Sequence, residues 1–377
     1  MVDLGTLIHQ AKVVRCGEGN YPVLSMTMHD GLVFQNDKFK KTIASKDKSD
    51  YKVVKRNQLV ISFPIDEGVL ATQRIVDAGI VSPAYGIWDI DQEMILPEFL
   101  EYALRCDRAL NYYKAKLRGS TARRRSLPTS TLLAYTVPLP DISEQEHILN
   151  VVHKTQKVIS GRTEEISLLD NLIKARFVEM FGDPNDNPKG YSKKQLKDTC
   201  RVITGNTPSR AVSEYYGEHI EWIKTDNIVS GLLNPTTATE SLSEKGMAVS
   251  RTVESGAILM VCIAGSIASI GRVCVTDRKV SFNQQINAIV PSDYNILFLY
   301  VMLQISKEYL ADEINMALKG ILSKSKLEEK TFYVPPIELQ EQFAAFVEQT
   351  DKSKVVVQKA LDEAQTLFDS LMQEYFG

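Results

Sequence analysis

Side chains that could do acid–base, nucleophilic or metal chemistry are present in this chain, but they are scattered. The five histidines stand apart from any acid or nucleophile motif, so each is better explained as a surface or packing residue than as a general base. The five cysteines form no C-x-x-C pair. They therefore predict neither a zinc site nor a disulfide framework, but reduced and buried thiols.

Motifs for nucleotide binding and for nuclease or methyltransferase chemistry are incomplete. Gly17 and Gly19 begin like a dinucleotide-binding loop, but Pro22 stands where the third glycine belongs, which indicates a turn. No phosphate-binding G-x-x-x-x-G-K-[ST] motif occurs, and Pro335-Pro336 lacks the preceding amide or acid of an amino-methyltransferase. The acid pair Asp66-Glu67 lacks the E-x-K of a nuclease. We predict no catalytic site, no metal and no cofactor bound by this chain.

The elements that carry these residues belong to an ordinary globular chain. Its 377 residues, 44% hydrophobic and 24% charged, suggest two to three domains and exclude a disordered or collagenous protein. No apolar run approaches the roughly 20 residues of a membrane span, and the N-terminus lacks the order of a secretion signal. A soluble, cytoplasmic protein is expected.

Charge is distributed unevenly although the net charge is only -3. Basic residues concentrate in 105–125 and 38–56, whereas acidic residues concentrate in 144–170 and 338–374. Basic patches on a neutral scaffold favour a surface that binds phosphate groups. The alternative is a solvated charged face.

The sequence contains a long internal repeat. Val137-Pro138 followed by Glu144-Gln145 recurs as Val334-Pro335 followed by Glu341-Gln342, 197 residues later. Each copy continues into a long segment without proline, and the two segments close with Phe-Gly at 181–182 and 376–377, 195 residues apart. A period of this length indicates domain duplication rather than a solenoid.

Each repeat predicts a mixed domain followed by a long helix. The fold class is therefore α/β (α+β), with two similar globular domains separated by two long antiparallel coiled-coil helices in a pseudo-twofold duplication. A seven-residue apolar period indicates a seam facing a partner helix; ordinary domain-packing helices are the alternative. The seam positions are Val152, Ile159, Ile166, Ile173, Val357, Leu361, Phe368 and Leu371. The predicted segments are domain 1–141, helix 142–182, linker 183–195, domain 196–337 and helix 338–377.

Several short motifs, taken in order and in duplicate, resemble the specificity subunit of a type I restriction-modification enzyme. They are Val202–Ser209, Trp222–Ile228, Phe282–Gln285, Ser82–Tyr85 and the Glu-Gln pairs that open the helices. The resemblance covers essentially the whole chain. The first domain departs from the pattern because residues 3–19 lack the Thr-Pro-Ser loop.

The resemblance implies a non-catalytic, DNA-binding chain. Each globular domain would be a target recognition domain for one half of a bipartite sequence in double-stranded DNA. The helices would set the spacing and dock two copies of a modification subunit, which carries the S-adenosylmethionine-dependent adenine methylation, with restriction subunits joining for cleavage. The alternatives are the specificity chain of a fused methyltransferase–nuclease system and a structural adaptor that binds no DNA.

Candidate DNA contacts divide into two groups. Basic residues in loops are predicted to contact phosphates, with loop solubility as the alternative: Arg118, Arg123, Arg124, Arg125, Lys319, Lys324 and Lys326. Polar residues in loops after strands are predicted to contact base edges, where Asn favours adenine and Arg or Lys favours guanine. These are Ser82, Tyr85, Thr207, Ser209, Arg210, Lys224, Thr225, Asp226, Asn227, Asn283, Gln284 and Gln285. For residues 283–285, structural hydrogen bonding is an equal alternative.

Overall fold

The computed structural model describes residues 1–28, 30–38, 47–117, 127–312, 314 and 320–377. Contacts divide the chain into two compact units. Unit 1 consists of Met1–Gly161 and Leu361–Gly377, and unit 2 consists of Arg162–Ala360. Both units contain helices and sheets, so the predicted mixed class is confirmed. Each long helix contributes residues to both units, which the predicted segments did not anticipate.

Unit 1 is built around a four-stranded antiparallel sheet in the order β2-β9-β6-β7. Short ladders β1-β10, β3-β4 and β5-β8 accompany it. The strands are β1 (Val2–Asp3), β2 (Ile8–Gln10), β3 (Leu24–Thr27), β4 (Gly31–Phe34), β5 (Lys52–Lys55), β6 (Leu59–Ile61), β7 (Leu70–Thr72), β8 (Ala78–Val81), β9 (Gly86–Ile90) and β10 (Thr136–Val137).

Helices cover the sheet of unit 1. They are α1 (Gln35–Lys38), α2 (Pro97–Arg105), α3 (Asp107–Lys116) and α4 (Thr129–Leu133), followed by the long α5 (Ile142–Phe181). Proline at the first position of α2 suits a helix start because its missing N–H has no partner there. Phe99, Leu100 and Leu104 of α2 are fully buried. They share one core with Val152 of α5 and with Phe376, near the end of the chain.

Unit 2 repeats this plan. Its central sheet has the order β12-β20-β16-β18, and a second sheet has the order β14-β13-β19-β15. The strands are β11 (Lys193–Gln195), β12 (Cys200–Thr204), β13 (Tyr216–Ile223), β14 (Ser241–Leu242), β15 (Thr252–Val253), β16 (Ile258–Val261), β17 (Ile263–Ala264), β18 (Val273–Val275), β19 (Val280–Phe282), β20 (Ile286–Pro291), β21 (Gly320–Ile321) and β22 (Thr331–Tyr333).

The helices of unit 2 are α6 (Leu196–Thr199), α7 (Glu244–Val249), α8 (Ile296–Ile305), α9 (Lys307–Ala311), α10 (Lys324–Glu329) and the long α11 (Ile337–Phe376). Helix α8 is apolar nearly all round, which is typical of a helix inside a core. Its Phe298 lies 4.8 Å from the ring of Phe181 and 6.4 Å from that of Phe343. The end of α5 and the start of α11 therefore share the core of unit 2.

The two long helices have equal lengths and strictly repeated ends. Each contains 40 residues, and their starts (142 and 337) and ends (181 and 376) are both 195 residues apart. The sequence alignment of Glu144-Gln145 with Glu341-Gln342 is thus wrong by two residues. The structural counterpart of Gln145 is Gln340. Each is fully buried, and its side chain accepts a backbone N–H, from Leu96 at 2.8 Å and from Asn295 at 2.9 Å.

Burial along the long helices follows the seven-residue period. Of the predicted seam positions, Val152, Ile173 and Val357 are buried, and the others are half-buried: Ile159, Ile166, Leu361, Phe368 and Leu371. Apolar residues between them remain exposed, including Leu168 at 60% and Val356 at 69%. The helices therefore have a covered apolar stripe and a mostly polar exposed remainder that includes several large apolar side chains.

Candidate nucleic-acid interface

Polar turns of unit 2 leave the same edge of its sheets. Strands β13 and β19 are parallel, with Ile223 opposite Phe282. The turn after β13 (224–227) and the turn between β19 and β20 (283–285) therefore emerge side by side. The loop after β12 (205–210) joins them, because Gly205 N–H donates to Ile286 O at 3.0 Å. Thr207 Oγ1 also hydrogen-bonds Gln284 Oε1.

Close packing holds the 205–210 loop in place. A Cβ atom on Gly205 would lie 2.2 Å from Asn283 O and 2.4 Å from Phe282 O, so only glycine fits this position. The indole N–H of Trp222 donates to Asn206 O at 3.2 Å, and the Tyr216 hydroxyl donates to Pro208 O at 2.7 Å. The loop is thereby anchored on the two aromatic side chains of β13.

A compact group of charged and aromatic side chains lies on this loop edge; we call it the Arg210 cluster. It consists of Arg210, Tyr216, Trp222, Lys224 and Glu240. The guanidinium of Arg210 lies over the Tyr216 ring at 4.5 Å and over the Trp222 ring at 5.2 Å, and the Lys224 ammonium lies 5.2 Å from the Trp222 ring. Cations prefer such positions because the ring faces are electron-rich.

Glu240 ties the two cations of the Arg210 cluster together. Its Oε1 accepts from Lys224 Nζ at 2.6 Å and its Oε2 accepts from Arg210 Nη2 at 2.7 Å. These hydrogen bonds, with Lys224 the larger cause, hold the pKa of the Glu240 carboxyl below its usual range. The side chains of Arg210 and Glu240 are 56% and 36% exposed, so the charges are both ordered and accessible to a ligand.

Two of the predicted base contacts are instead held inside the turns. Asn227 is buried; its Oδ1 accepts from Lys224 N at 3.0 Å and its Nδ2 donates to Thr237 O at 3.1 Å. Asn283 is buried too, and its Oδ1 accepts from Gln285 N at 3.0 Å. Both amides shape the loop edge.

The other predicted residues of unit 2 lie closer to solvent. Thr207, Ser209, Asp226 and Gln284 are exposed, and Thr225 and Gln285 are half-buried. The carbonyl oxygen of Thr225 accepts from Arg272 at 3.1 Å. The carbonyl oxygen of Gln285 accepts from Cys262 N at 2.8 Å.

In unit 1 the predicted residues occupy the corresponding turn, between β8 and β9. Ser82 Oγ accepts from Ala84 N at 3.3 Å, and the carbonyl oxygen of Tyr85 accepts from Lys52 Nζ at 2.7 Å. Burial, and secondarily the charge of Arg15, lowers the pKa of Lys52. This turn is therefore supported by a cation from β5.

Most of the predicted phosphate contacts fall in segments that the structure does not describe. Arg118, Arg123, Arg124, Arg125 and Lys319 lie outside the described residues. Lys324 and Lys326 belong to α10 and are exposed. Lys324 lies 3.5 Å from Glu328 on the same helix, an exposed pair of small energetic value.

The sequence did not assign Tyr216, Trp222 or Glu240 to the site. Trp222 lies within the motif Trp222–Ile228, two positions before Lys224, and an aromatic residue so close to a predicted base contact is a local signal for the site. Glu240 gave no local signal, because it lies 30 residues from Arg210 along the chain. Only folding brings the carboxylate to the two cations.

Metal and thiol chemistry find no support in the part of the chain that is described. No group of three or more His, Cys, Asp or Glu side chains able to hold a metal occurs among these residues. The five cysteines are buried and unpaired. Burial raises the pKa of Cys200, Cys262 and Cys274 to about 12. Among the same residues, no helix is long and apolar enough to span a bilayer.

Comparison with known proteins identifies relatives of both sequence and fold. Residues 188–364 match the family model of the type I restriction modification DNA specificity domain. The type I restriction enzyme HindI specificity subunit of Haemophilus influenzae is 22% identical, with 67% of this chain and 70% of that protein covered. The MjaIX specificity subunit of Methanocaldococcus jannaschii is 24% identical, with 75% and 69% covered.

Two solved structures have a similar fold over the whole chain. One, described as showing complex assembly and conformational transition of the type I R-M system, has a TM-score of 0.60 at 18% identity and is 96% covered. The other, the type I restriction-modification S subunit from M. genitalium, has a TM-score of 0.59 at 14% identity and is 95% covered. At these identities the likeness concerns the fold.

Proposed function

We infer that this chain belongs to the specificity subunits of type I restriction-modification systems and is the subunit that recognises DNA. The family match covers most of unit 2, and unit 1 has a central sheet of the same strand order. The observation that carries the function is the loop edge of unit 2. There an anchored loop and two adjacent turns present ordered cations and polar side chains to solvent.

Each unit recognises one half of a bipartite target. Unit 2 does so with the loop edge that contains the Arg210 cluster, and unit 1 with the corresponding turn at Ser82 and Tyr85. Two similar units with different loops would suit two half-sites of different sequence, because sequence specificity comes from contacts with base edges.

The long helices set the number of base pairs between the half-sites. A helix of 40 residues is roughly 60 Å long at about 1.5 Å per residue, whereas successive turns of DNA are roughly 34–36 Å apart. We propose that α5 and α11 run antiparallel as a coiled coil. Support comes from the cores: the start of α5 shares a core with the end of α11 in unit 1, and the reverse holds in unit 2.

The helices also dock two copies of a modification subunit. Seven large apolar side chains that are exposed on the two long helices support this proposal, since exposed apolar surface suits contact with a partner. They are Val158, Leu168, Leu172, Val178, Val355, Val356 and Leu367. Restriction subunits complete the assembly that cleaves DNA.

The chain itself is non-catalytic, and S-adenosylmethionine binds to the modification subunit rather than to this chain. The buried thiols with raised pKa values support this, because a protonated thiol is a poor nucleophile. Methyl transfer is then carried out by the partner, and this chain positions the partner on the DNA and selects the sequence.

Contacts with DNA divide between positioning and selection. We propose that Arg118, Arg123, Arg124, Arg125, Lys319, Lys324 and Lys326 contact phosphates. Polar residues of the loop edge that are exposed or half-buried contact bases: Thr207, Ser209, Arg210, Lys224, Thr225, Asp226, Gln284 and Gln285. Asn227 and Asn283 act through the turns that they shape.

Titration of the full chain with duplex DNA at several salt concentrations tests this function. Affinity should fall steeply with salt, with a slope of about -0.9 per phosphate contact. Replacing Arg123, Arg124 and Arg125 by alanine should reduce that slope and should weaken the binding of every DNA sequence to the same extent. Absence of DNA binding at every salt concentration would instead identify a protein-only adaptor.

A binding assay with S-adenosylmethionine separates the remaining alternative, the specificity chain of a fused methyltransferase–nuclease system. The purified chain should neither bind the cofactor nor methylate DNA alone. Methylation by the chain without partners would contradict the assignment of the chemistry to a separate subunit.

A further inference from the structure

The Arg210 cluster presents a donor and an acceptor side by side. Glu240 is the one hydrogen-bond acceptor that Arg210 contacts among the described residues, and it engages a single guanidinium nitrogen, Nη2. A guanidinium carries five N–H groups, so most of them remain available. Its plane is already ordered by Tyr216 and Trp222. Little side-chain entropy is then lost when the fork binds a ligand.

Glu240 retains acceptor capacity as well. A carboxylate has about four lone-pair sites, of which Arg210 and Lys224 occupy one on each oxygen. Because its pKa is lowered, the carboxylate is ionised at neutral pH. A neutral N–H donor could therefore bind beside the free edge of Arg210.

This combination suits a base edge better than a phosphate. A phosphate that approached Arg210 would also approach the negative charge of Glu240, and the cluster as a whole carries only one net positive charge. Cations that contact phosphates need no acidic neighbour. A base pair instead offers neutral acceptors and donors in a fixed order across the major groove.

We propose that Arg210 and Glu240 together recognise one G·C base pair in the half-site of unit 2. Arg210 donates to guanine O6 and N7, and Glu240 accepts from the N4 amino group of the paired cytosine. Lys224, itself a candidate base contact, also orients Glu240 by donating to its Oε1. This inference rests on the proposed function, since it requires that unit 2 meets DNA at its loop edge.

In the described part of unit 1, the strand positions that correspond to Trp222 and Lys224 carry neither an aromatic ring nor a cation. Val23 bridges Ile80 in parallel fashion, as Trp222 pairs with Ser281 in unit 2. Ile80 is the penultimate residue of β8, as Ser281 is of β19. Aligned in this way, the counterpart of Trp222 is Val23, and the counterpart of Lys224 is Ser25. Recognition of G·C by a stacked arginine should be confined to one half-site.

Selection from a randomised bipartite duplex library by the full chain locates the base pair. Wild type should select two half-sites, one with a fixed G·C pair that depends on Arg210. Arg210→Lys keeps the charge but lacks the fork, so preference at that pair should fall roughly 5- to 150-fold, the range of one bidentate contact. Glu240→Ala should relax the same position and leave the other half-site unchanged.

Base analogues separate the two hydrogen-bonding roles. Replacing the guanine by 7-deazaguanine removes N7 and should weaken wild type but not Arg210→Ala. Replacing it by inosine leaves the major-groove edge intact and should have little effect. N4-methylation of the cytosine should weaken wild type more than Glu240→Ala.

Arg176→Lys is the matched control. Arg176 also lies over an aromatic ring, that of Phe346 at 6.0 Å, and pairs with a carboxylate, Glu179 at 2.8 Å. It lies on α5 rather than on the loop edge, so its replacement should leave every selected base unchanged. Thermal melting of each variant checks that unit 2 remains folded.

The outcomes distinguish a failure of the proposed function from a failure of the G·C recognition by Arg210 and Glu240. If wild type selects no bipartite sequence, the proposed function fails. The other case is that wild type selects a bipartite sequence while Arg210→Lys and Glu240→Ala reduce the base preference equally at all positions or change it at none. Recognition of G·C by Arg210 and Glu240 is then overturned, and the proposed function stands.

Discussion

Units 1 and 2 have the same scaffold but different surfaces. Both place a four-stranded antiparallel sheet against a buried helix and against the ends of the two long helices. At the loop edge, however, unit 2 carries the Arg210 cluster, and unit 1 has Val23 and Ser25 at the corresponding strand positions. The core is therefore alike in the two units, whereas the side chains at the loop edge differ, as is usual for loops on a common scaffold.

A second difference lies on the long helices. In unit 2, Lys354 of α11 is 12% exposed and donates to Asp170 of α5 at 2.6 Å and to Gly231 O at 2.9 Å, beside a cavity of about 310 Å³. The residues 195 positions away, Ile159 and Gln365, cannot form this ion pair. In unit 2, Lys354 thus connects the two long helices with the loop at Gly231.

The largest effect is expected from the paired aromatic anchors. Phe181 and Phe376 are both fully buried, so Phe181→Ala or Phe376→Ala should cost about 3–5 kcal/mol of stability. The chain has one buried tryptophan per unit, Trp88 and Trp222. Thermal unfolding is followed by tryptophan fluorescence in two backgrounds: Trp222→Phe leaves Trp88 as the reporter of unit 1, and Trp88→Phe leaves Trp222 as the reporter of unit 2. Phe376→Ala should lower the melting temperature reported by Trp88, and Phe181→Ala should lower the one reported by Trp222.

The control for this comparison is Leu168→Ala, at a site that is 60% exposed, which should change stability by less than about 0.5 kcal/mol. Equal shifts of both tryptophan signals with both phenylalanine variants would contradict separate anchoring of the units.

Gly205→Ala should disrupt the loop edge of unit 2 without touching unit 1. Its methyl group would overlap backbone oxygens, at a cost of about 1–3 kcal/mol, and selectivity for one half-site should decrease. Sequence selection checks this. Gly265→Ala is the control, since nothing lies within 4 Å of its added Cβ; a similar loss there would point to a general effect of alanine.

Lys354→Ile gives unit 2 the residue that unit 1 has at this place. The substitution removes the hydrogen bonds of the lysine to Asp170 and to Gly231 O. The free energy of unfolding should fall by only about 1–2 kcal/mol, because Asp170 is 35% exposed and solvent can replace part of the contact. Thermal unfolding monitored by Trp222 measures it. Lys352→Met, at an exposed position of the same helix, should have no effect, and equal effects of both would reject a specific role of the ion pair.

The smallest effect concerns pH. Because the folded-state pKa of Glu240 is lowered, its contribution to stability is present above the unfolded pKa of about 4.3 and is lost as pH falls through the lower folded value. Unfolding of unit 2 below pH 5 should therefore depend slightly more steeply on pH in wild type than in Glu240→Gln. Identical profiles would show that the cluster adds no stability in this window.

Much of the organisation was accessible from residue order alone, because local patterns determine it. The repeat, the two long helices and the mixed domains depend on apolar periodicity and turn residues, which act over short distances. The sequence also placed Arg210 and Lys224 in candidate loops. The sequence alone does not predict that Gln340 is the counterpart of Gln145. The identical Glu-Gln pairs at 144–145 and 341–342 favour an alignment that is two residues off, and burial of the side chains cannot be seen in the sequence.

Which side chains meet depends on the packing of distant segments. Glu240 reaches Arg210 and Lys224 from a distant segment, Phe376 enters the core of unit 1 from the end of the chain, and Asn227 and Asn283 turn inward. Such contacts follow from the closing of sheets and the packing of helices, and these join residues far apart in sequence. Residue order specifies two repeated scaffolds. The functional groups that each scaffold presents depend on the fold, because hydrogen bonds and ring contacts require distances that no spacing along the chain specifies.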